Sequence, residues 1–170
     1  MDDELTRSLE PLHRDACGWA RHCCEGSPVD ALDVLQIAYL KVIEGKARPR
    51  GEGSLKTWWF GVIRFTAMEE KRRRRFRESL AGRLLRLAPA KENGPSAASR
   101  IELNESARDL KRALAQLPPR QAEVLHLVFY QDLSIAEAAP IMGVSVGSAR
   151  THYERAKARL RELLPHPDKQ

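Results

Sequence analysis

The stretch that most limits what this chain can fold into runs from Ser134 to Leu164. A short apolar segment, Ser134 to Met142, meets Gly143-Val144, and a longer charged segment opens at Ser145. Glycine tolerates the positive φ of a sharp turn, and a serine ahead of a helix satisfies amides that have no intrahelical acceptor. The spacing predicts a helix-turn-helix, with Val144 plugging the angle between the two helices. At 100° per residue, Tyr153, Ala156 and Leu160 fall within about 40° of Ala149 and form the packed face. The opposite face holds Gly147, Ser148, Thr151, Glu154, Arg155 and Ala158, small or polar residues that suit a base edge in the major groove. Arg150, Lys157 and Arg161 flank that face on one side, His152 and Arg159 on the other, as a helix with a phosphate strand on each side requires. A charged helical face can also be merely solvated. Here cap, turn and face asymmetry agree on the binding reading.

Two helices cannot bury that packed face alone, so the rest of the chain must supply a bundle. No segment alternates with period two, and the fold class expected is all-α: two small helical domains joined by a flexible linker, the C-terminal one a helix-turn-helix. Gly26-Ser27-Pro28 ends a first helix from about Asp3 to Glu25. A second spans Val29 to Glu44, with Leu32, Leu35, Ile37, Tyr39, Leu40 and Ile43 expected inside. A glycine-rich loop follows to Ser54, which caps a third helix running from Leu55 into the arginine run. Trp58, Trp59, Phe60, Val62, Ile63, Phe65 and Met68 point almost all round that helix, so it starts buried and emerges as a basic rod. Of the two adjacent tryptophans, Trp58 is expected in the core. Ala88 to Glu105, with Pro89, Gly94 and Pro95, reads as linker, and Leu80 to Ala88 as a short helix or part of the tether. The second block then holds a helix from Ile101 to Gln116 and another from Arg120 to Gln131, burying Val124, Leu125, Val128 and Phe129. The expected domains are residues 1–79 and 105–170, with 80–104 between them.

Composition narrows the partners. The chain has 170 residues, 42% hydrophobic and 31% charged, with a net charge of +6, which fits a folded protein with an anionic partner. The excess sits in two clusters, Lys71 to Arg77 and Arg150 to Arg161. No apolar run approaches the roughly 20 residues a membrane helix needs, and the acidic start does not resemble a signal peptide, so no membrane insertion and a cytoplasmic location are expected. Cys17, Cys23 and Cys24, with His13 and His22, match no closed metal spacing and read as reduced core thiols. No catalytic constellation or phosphate-binding glycine loop is evident. Neither an enzyme nor a cofactor is expected.

Three stretches, Asp33-Val34-Leu35-Gln36-Ile37-Ala38-Tyr39-Leu40, Leu55-Lys56-Thr57-Trp58-Trp59-Phe60 with the basic helix beyond, and Leu117-Pro118-Pro119-Arg120-Gln121-Ala122-Glu123-Val124-Leu125 ahead of the helix-turn-helix, resemble the bacterial extracytoplasmic-function (ECF) sigma factors. The resemblance spans about Pro11 to Leu164. It implies a protein that binds core RNA polymerase, opens promoter DNA at the -10 element and reads the -35 element, under control of an anti-sigma factor. It implies polymerase contacts from Asp33, Gln36 and Leu40. It implies -10 and single-strand contacts from Arg50, Lys56, Trp59, Arg64, Phe65, Lys71, Arg72 and Arg74. For the -35 element it implies Ser148, Arg150, Thr151, His152, Arg155, Lys157 and Arg159. Ile37, Phe65, Ala138, Pro140, Ala149, His152 and Glu154 depart from the family pattern, so the promoter sequence cannot be read by analogy. Two rivals stand beside it: a stand-alone helix-turn-helix regulator with an N-terminal dimerisation or sensing module, and an adaptor that binds polymerase but not DNA.

Overall fold

The computed structural model describes residues 3–49, 51, 53–84 and 105–164, with the side chains of 3, 80–84, 105 and 106 excepted. Among them every regular element is helical. The chain divides into two compact units, Met1–Ala98 and Ser99–Gln170.

In the first unit, α1 (Asp3–Leu9) passes through a 3-10 turn (Glu10–Leu12) into α2 (His13–Cys23). The single helix expected here is therefore broken, because Pro11 cannot donate a backbone hydrogen bond. Ser27 caps α3 (Pro28–Ile43) by accepting from the Asp30 amide. The fourth helix, α4 (Leu55–Leu84), takes its cap from Ser54, whose Oγ accepts from the Thr57 amide at 3.1 Å. It continues unbroken through Leu80–Leu84, the segment expected as a separate short helix or tether.

Packing of α2 and α3 on α4 centres on fully buried Trp19, Trp59, Phe60 and Ile63. Trp19 Nε1 donates to the Phe60 carbonyl at 3.0 Å and its ring stacks on Phe60. The interior of α3 comes from Ala31, Val34, Leu35, Ala38 and Val42. Of the residues expected inside α3, only Leu35 is buried; Ile37 and Tyr39 are half-buried, and Leu32, Leu40 and Ile43 are exposed. The alanines bring α3 close to its neighbours and leave the larger side chains facing out.

The second unit holds α5 (Glu105–Ala115), α6 (Pro119–Leu125), α7 (Ile135–Met142) and α8 (Val146–Leu163). Between α6 and α7 lies a π-helical turn, His126–Tyr130. A π turn shifts the phase of the wheel, which accounts for Leu127 being fully buried and Phe129, expected inside, being exposed. Arg120 donates to the Met142 carbonyl at 2.9 Å and pairs with the nearly buried Glu123, pinning α6 to the end of α7.

The turn between α7 and α8 follows local rules. Ser134 and Glu137 form a reciprocal capping box, Gly143 sits at φ 66° and ψ 38°, and Ser145 accepts from the Ser148 amide. Pro140 lies within α7, its ring exposed, and the helix runs on to Met142. Ala138, Ala149 and Ala156 are fully buried. Ala156 packs against Leu117 and Leu125, while small side chains at Ala138 and Ala149 leave room for α7 and α8 to approach closely, where larger aliphatics would hold them apart.

Candidate nucleic-acid interface

On α8 the side opposite Ala149 and Ala156 is open. Ser148, Arg150, Thr151, Arg155 and Arg159 are exposed, while His152 and Lys157 are half-buried. Arg150 and Arg155 make no ion pair among the described residues, so their guanidinium groups keep their donors for a partner. Lys157 pairs with Glu154 at 3.0 Å and lies over the Tyr153 ring; Arg159 pairs with Glu162 at 2.9 Å. Exposed pairs of this kind contribute little, about 0.3–0.5 kcal/mol each, and yield readily to a phosphate. Thr151 donates to the Gly147 carbonyl and the Ser148 hydroxyl accepts from Ser145. Both hydroxyls are thus oriented by the helix that carries them.

The first unit carries two faces. On α3, Val29, Leu32, Gln36, Leu40 and Ile43 fall within about 80° of one another on the wheel and are all exposed. Asp33 borders this stripe, also exposed. The sequence had placed Leu32 and Ile43 inside; the signal that recovers them is the opposite arc, where Ala31, Val34, Leu35, Ala38 and Val42 form a complete buried face.

The second face lies along α4. Trp58, Phe65, Met68, Arg72 and Phe76 share one side of the helix, over about 27 Å at 1.5 Å per residue. Phe65 is 62% and Phe76 65% exposed, and Trp58 is half-buried. Trp59 is 0% exposed and packs against Tyr39 with ring centroids 4.8 Å apart. Its side chain is part of the core, and the burial expected of the tandem tryptophans is exchanged: Trp58 is the one that reaches the surface. Apolar residues all round the start of α4 left its phase undetermined from sequence.

The basic residues of α4 divide. Lys71 is bonded to Glu25, and Arg74 places one nitrogen 3.1 Å from both carboxylate oxygens of Asp30. Lys71 thereby holds the Glu25 carboxyl below the usual carboxylate range, and Asp30 raises the Arg74 guanidinium. Both cations lie away from the aromatic stripe; Lys71 tethers α4 to the turn after α2 and Arg74 tethers it to the first turn of α3. Arg72, Arg75 and Arg77 make no ion pair among the described residues. Lys56 is engaged with Asp15 at 2.8 Å and lies over the Phe60 ring. Arg64 is half-buried and donates to Met68 Sδ. Lys41 of α3 bonds buried Thr66 at 3.0 Å and Glu69 at 2.5 Å, with its ammonium 5.5 Å from the centre of the Phe65 ring. Arg50 lies outside the described residues.

No described helix is long and apolar enough to cross a membrane. Among the described residues, no group of three or more His, Cys, Asp or Glu is placed to hold a metal ion.

Helices alone among the described residues, with a helix-turn-helix in one unit and an aromatic, arginine-bearing helix in the other, fit the class of DNA-binding transcription factors. Comparison with known proteins narrows that class. The family described as Sigma-70 region 2 matches residues 9–77, and that described as Sigma-70, region 4 matches residues 107–160. The ECF RNA polymerase sigma factor SigM of Mycobacterium tuberculosis (strain ATCC 25618 / H37Rv) is 30% identical over 164 residues, covering 96% of this chain and 76% of the relative. SigF of Caulobacter vibrioides (strain NA1000 / CB15N), also an ECF sigma factor, is 30% identical over 143 residues, covering 84% and 75%. Among solved structures, the sigma factor RpoE from Bartonella quintana, crystallised with the anti-sigma factor NepR, shares the fold with a TM-score of 0.66 at 22% identity, over 94% of this chain and 96% of the other. The chain belongs to the ECF family of RNA polymerase sigma factors.

Proposed function

We propose that this sigma factor grips core RNA polymerase through α3, single-stranded promoter DNA at the -10 element through α4, and duplex at the -35 element through α8. The observation that carries this reading is that each unit presents one helix face whose residue types fit its form of DNA. On α4, aromatic rings alternate with a guanidinium, the combination that stacks unpaired bases and neutralises their backbone. Phe65, Arg72 and Phe76 would hold the unpaired strand, with Trp58 in place of Trp59 at its upstream end. Lys56, Arg64, Lys71 and Arg74 take part by exchanging their present partners for phosphate, joined by Arg50, which precedes α4 in the sequence.

On α8, Ser148, Thr151 and Arg155 face base edges while Arg150, His152, Lys157 and Arg159 meet phosphate. On α3, Asp33, Gln36 and Leu40, joined by Leu32 and Ile43, form an apolar stripe with a carboxylate edge, suited to a helical partner with basic flanks. Polymerase fixes the spacing of the two DNA contacts, so the second becomes effectively intramolecular. The protein acts as a specificity factor rather than a catalyst, in the cytoplasm where polymerase and promoters meet. The NepR complex of the Bartonella relative supports an anti-sigma partner for this chain as well, one that competes for the same α3 stripe.

The test is to add purified protein to core polymerase and score initiation on genomic fragments. Promoter-dependent transcripts are expected with both together and with neither alone. Specific duplex binding without polymerase, and no stimulated initiation on any fragment, would favour a stand-alone regulator instead.

A further inference from the structure

The chain carries three cysteines, and their surroundings differ. Burial, with the Asp30 carboxylate adding to it, pushes the Cys24 thiol up to about 11. Cys17 sits elsewhere, half-buried on α2 one helical turn after the exposed His13. Its Sγ lies 3.5 Å from His13 Nε2, and His13 Nδ1 lies 3.1 Å from the Tyr39 hydroxyl of α3. The Tyr39 ring is itself held against buried Trp59. The three groups form a chain of nucleophile, base and orienting hydroxyl, the arrangement that activates a thiol for attack. No contact described above for DNA or polymerase uses Cys17 or His13.

We propose that Cys17 is a thiol-modification site that exchanges with low-molecular-weight disulfides, with His13 as its base and Tyr39 as the group that holds the imidazole. Cys17 sulfur attacks one sulfur of the reagent; the reagent S–S bond breaks and a Cys17–S–S–R bond forms. The Cys17 proton passes to His13 Nε2 and then to the departing thiolate, which leaves as R–SH. Cys17 sulfur is oxidised and the departing sulfur reduced, so the exchange needs no further oxidant. As the imidazole takes the proton, Nδ1–H donates to the Tyr39 oxygen, and the ring stays aligned through the transfer.

The position gives the modification a consequence. On the α3 wheel Tyr39 falls about 20° from Leu32 and about 40° from Ile43, at the edge of the exposed stripe, and His13 links it to Cys17, so an added group on Cys17 lies near the proposed polymerase-docking surface. This consequence rests on the α3 reading above, whereas the exchange chemistry does not.

The experiment treats the reduced, full-length protein with limiting oxidised glutathione and follows each thiol by peptide mass spectrometry. Trypsin cuts after Arg14 and Arg21, which puts Cys17 in one peptide and Cys23 with Cys24 in another. Cys17 is expected to fill first, and His13→Gln to slow it by about tenfold without changing the other peptide. Tyr39→Phe keeps the packed ring, and a slower Cys17 with unchanged helicity is expected there too. Equal filling of the two peptides, or an unchanged Cys17 rate in both variants, overturns the site.

Core-polymerase binding is then measured before and after glutathione. A loss that dithiothreitol reverses, and that Cys17→Ser abolishes, is expected. Leu32→Asp in the same assay separates the two ideas. If Leu32→Asp weakens binding but modified Cys17 does not, the regulatory consequence is wrong. If neither weakens binding, the α3 docking reading has failed, and the peptide rates still decide the thiol site.

Discussion

The two units each present one helix face proposed for DNA, and the side chains that anchor that helix differ. In the first, α4 is held by large rings: Trp19, Trp59 and Phe60 lock it to α2 and α3 near its start, and beyond Met68 it leaves the bundle with residues 71–79 all exposed. In the second, the buried residues of α8 itself are small, Ala149 and Ala156, and Ala156 packs against Leu117 and Leu125. Aromatic anchoring at one end allows a helix to project, because a few residues supply most of the buried area. Alanine contacts spread along a helix instead keep it against its partner, so only one face is free. The first arrangement suits a flexible single strand lying along a rod, the second a recognition helix held at a fixed angle in a groove.

Removing an anchor should therefore be far more damaging in the first unit. Trp59→Ala is expected to cost about 3–5 kcal/mol. All three tryptophans lie in this unit, so fluorescence-detected denaturation reports its transition alone. Trp58→Ala should cost much less, and if the two variants are equally destabilised the assignment of core and surface tryptophan is wrong.

The second unit should respond most to overpacking. Ala149→Leu is expected to lose about 1–3 kcal/mol by forcing α7 from α8, measured on the denaturation transition that tryptophan fluorescence does not see. A change of smaller size, about 1–2 kcal/mol, is expected for Gly143→Ala, which puts a side chain at a left-handed φ.

How far the sequence disclosed these differences depends on whether the cause is local. The α7–α8 turn was legible residue by residue, since Ser134, Gly143 and Ser145 act on amides within three or four positions of themselves. The all-helical fold and the packed arc of Ala149 followed from periodicity. The α3 stripe did not, because the interior is partly alanine and the exposed residues are the larger apolar ones; hydrophobicity alone points the wrong way. Trp58 was expected inside and Trp59 is the buried one, because where nearly every residue is apolar the wheel does not fix which side faces in. The tethering of Lys71 and Arg74 joins side chains far apart in sequence, and composition shows only a run of cations. The π turn at His126–Tyr130, which exposes Phe129, leaves no mark that a regular wheel would register.

The smallest stability effect is expected at the tether. Arg74→Ala removes an exposed pair with Asp30, and the loss should stay below about 1 kcal/mol. Glu25 adds a pH signature: its carboxyl is held below the ordinary value by Lys71. The contribution is present above the normal carboxylate range and is lost as pH falls through the lowered value. It should be small, since both side chains face solvent, and salt should shrink it further.

The account turns on the claim that α4 and α8 read different DNA elements from separate scaffolds. Initiation by the reconstituted polymerase on a promoter library varied at both elements tests it most directly. Arg155→Ala is predicted to reorder preference at the -35 element by about 1–3 kcal/mol per base while leaving the -10 ranking intact, and Phe65→Ala to do the reverse. If either variant rescales both elements together, or leaves both rankings unchanged, the two faces are not the separate readers described.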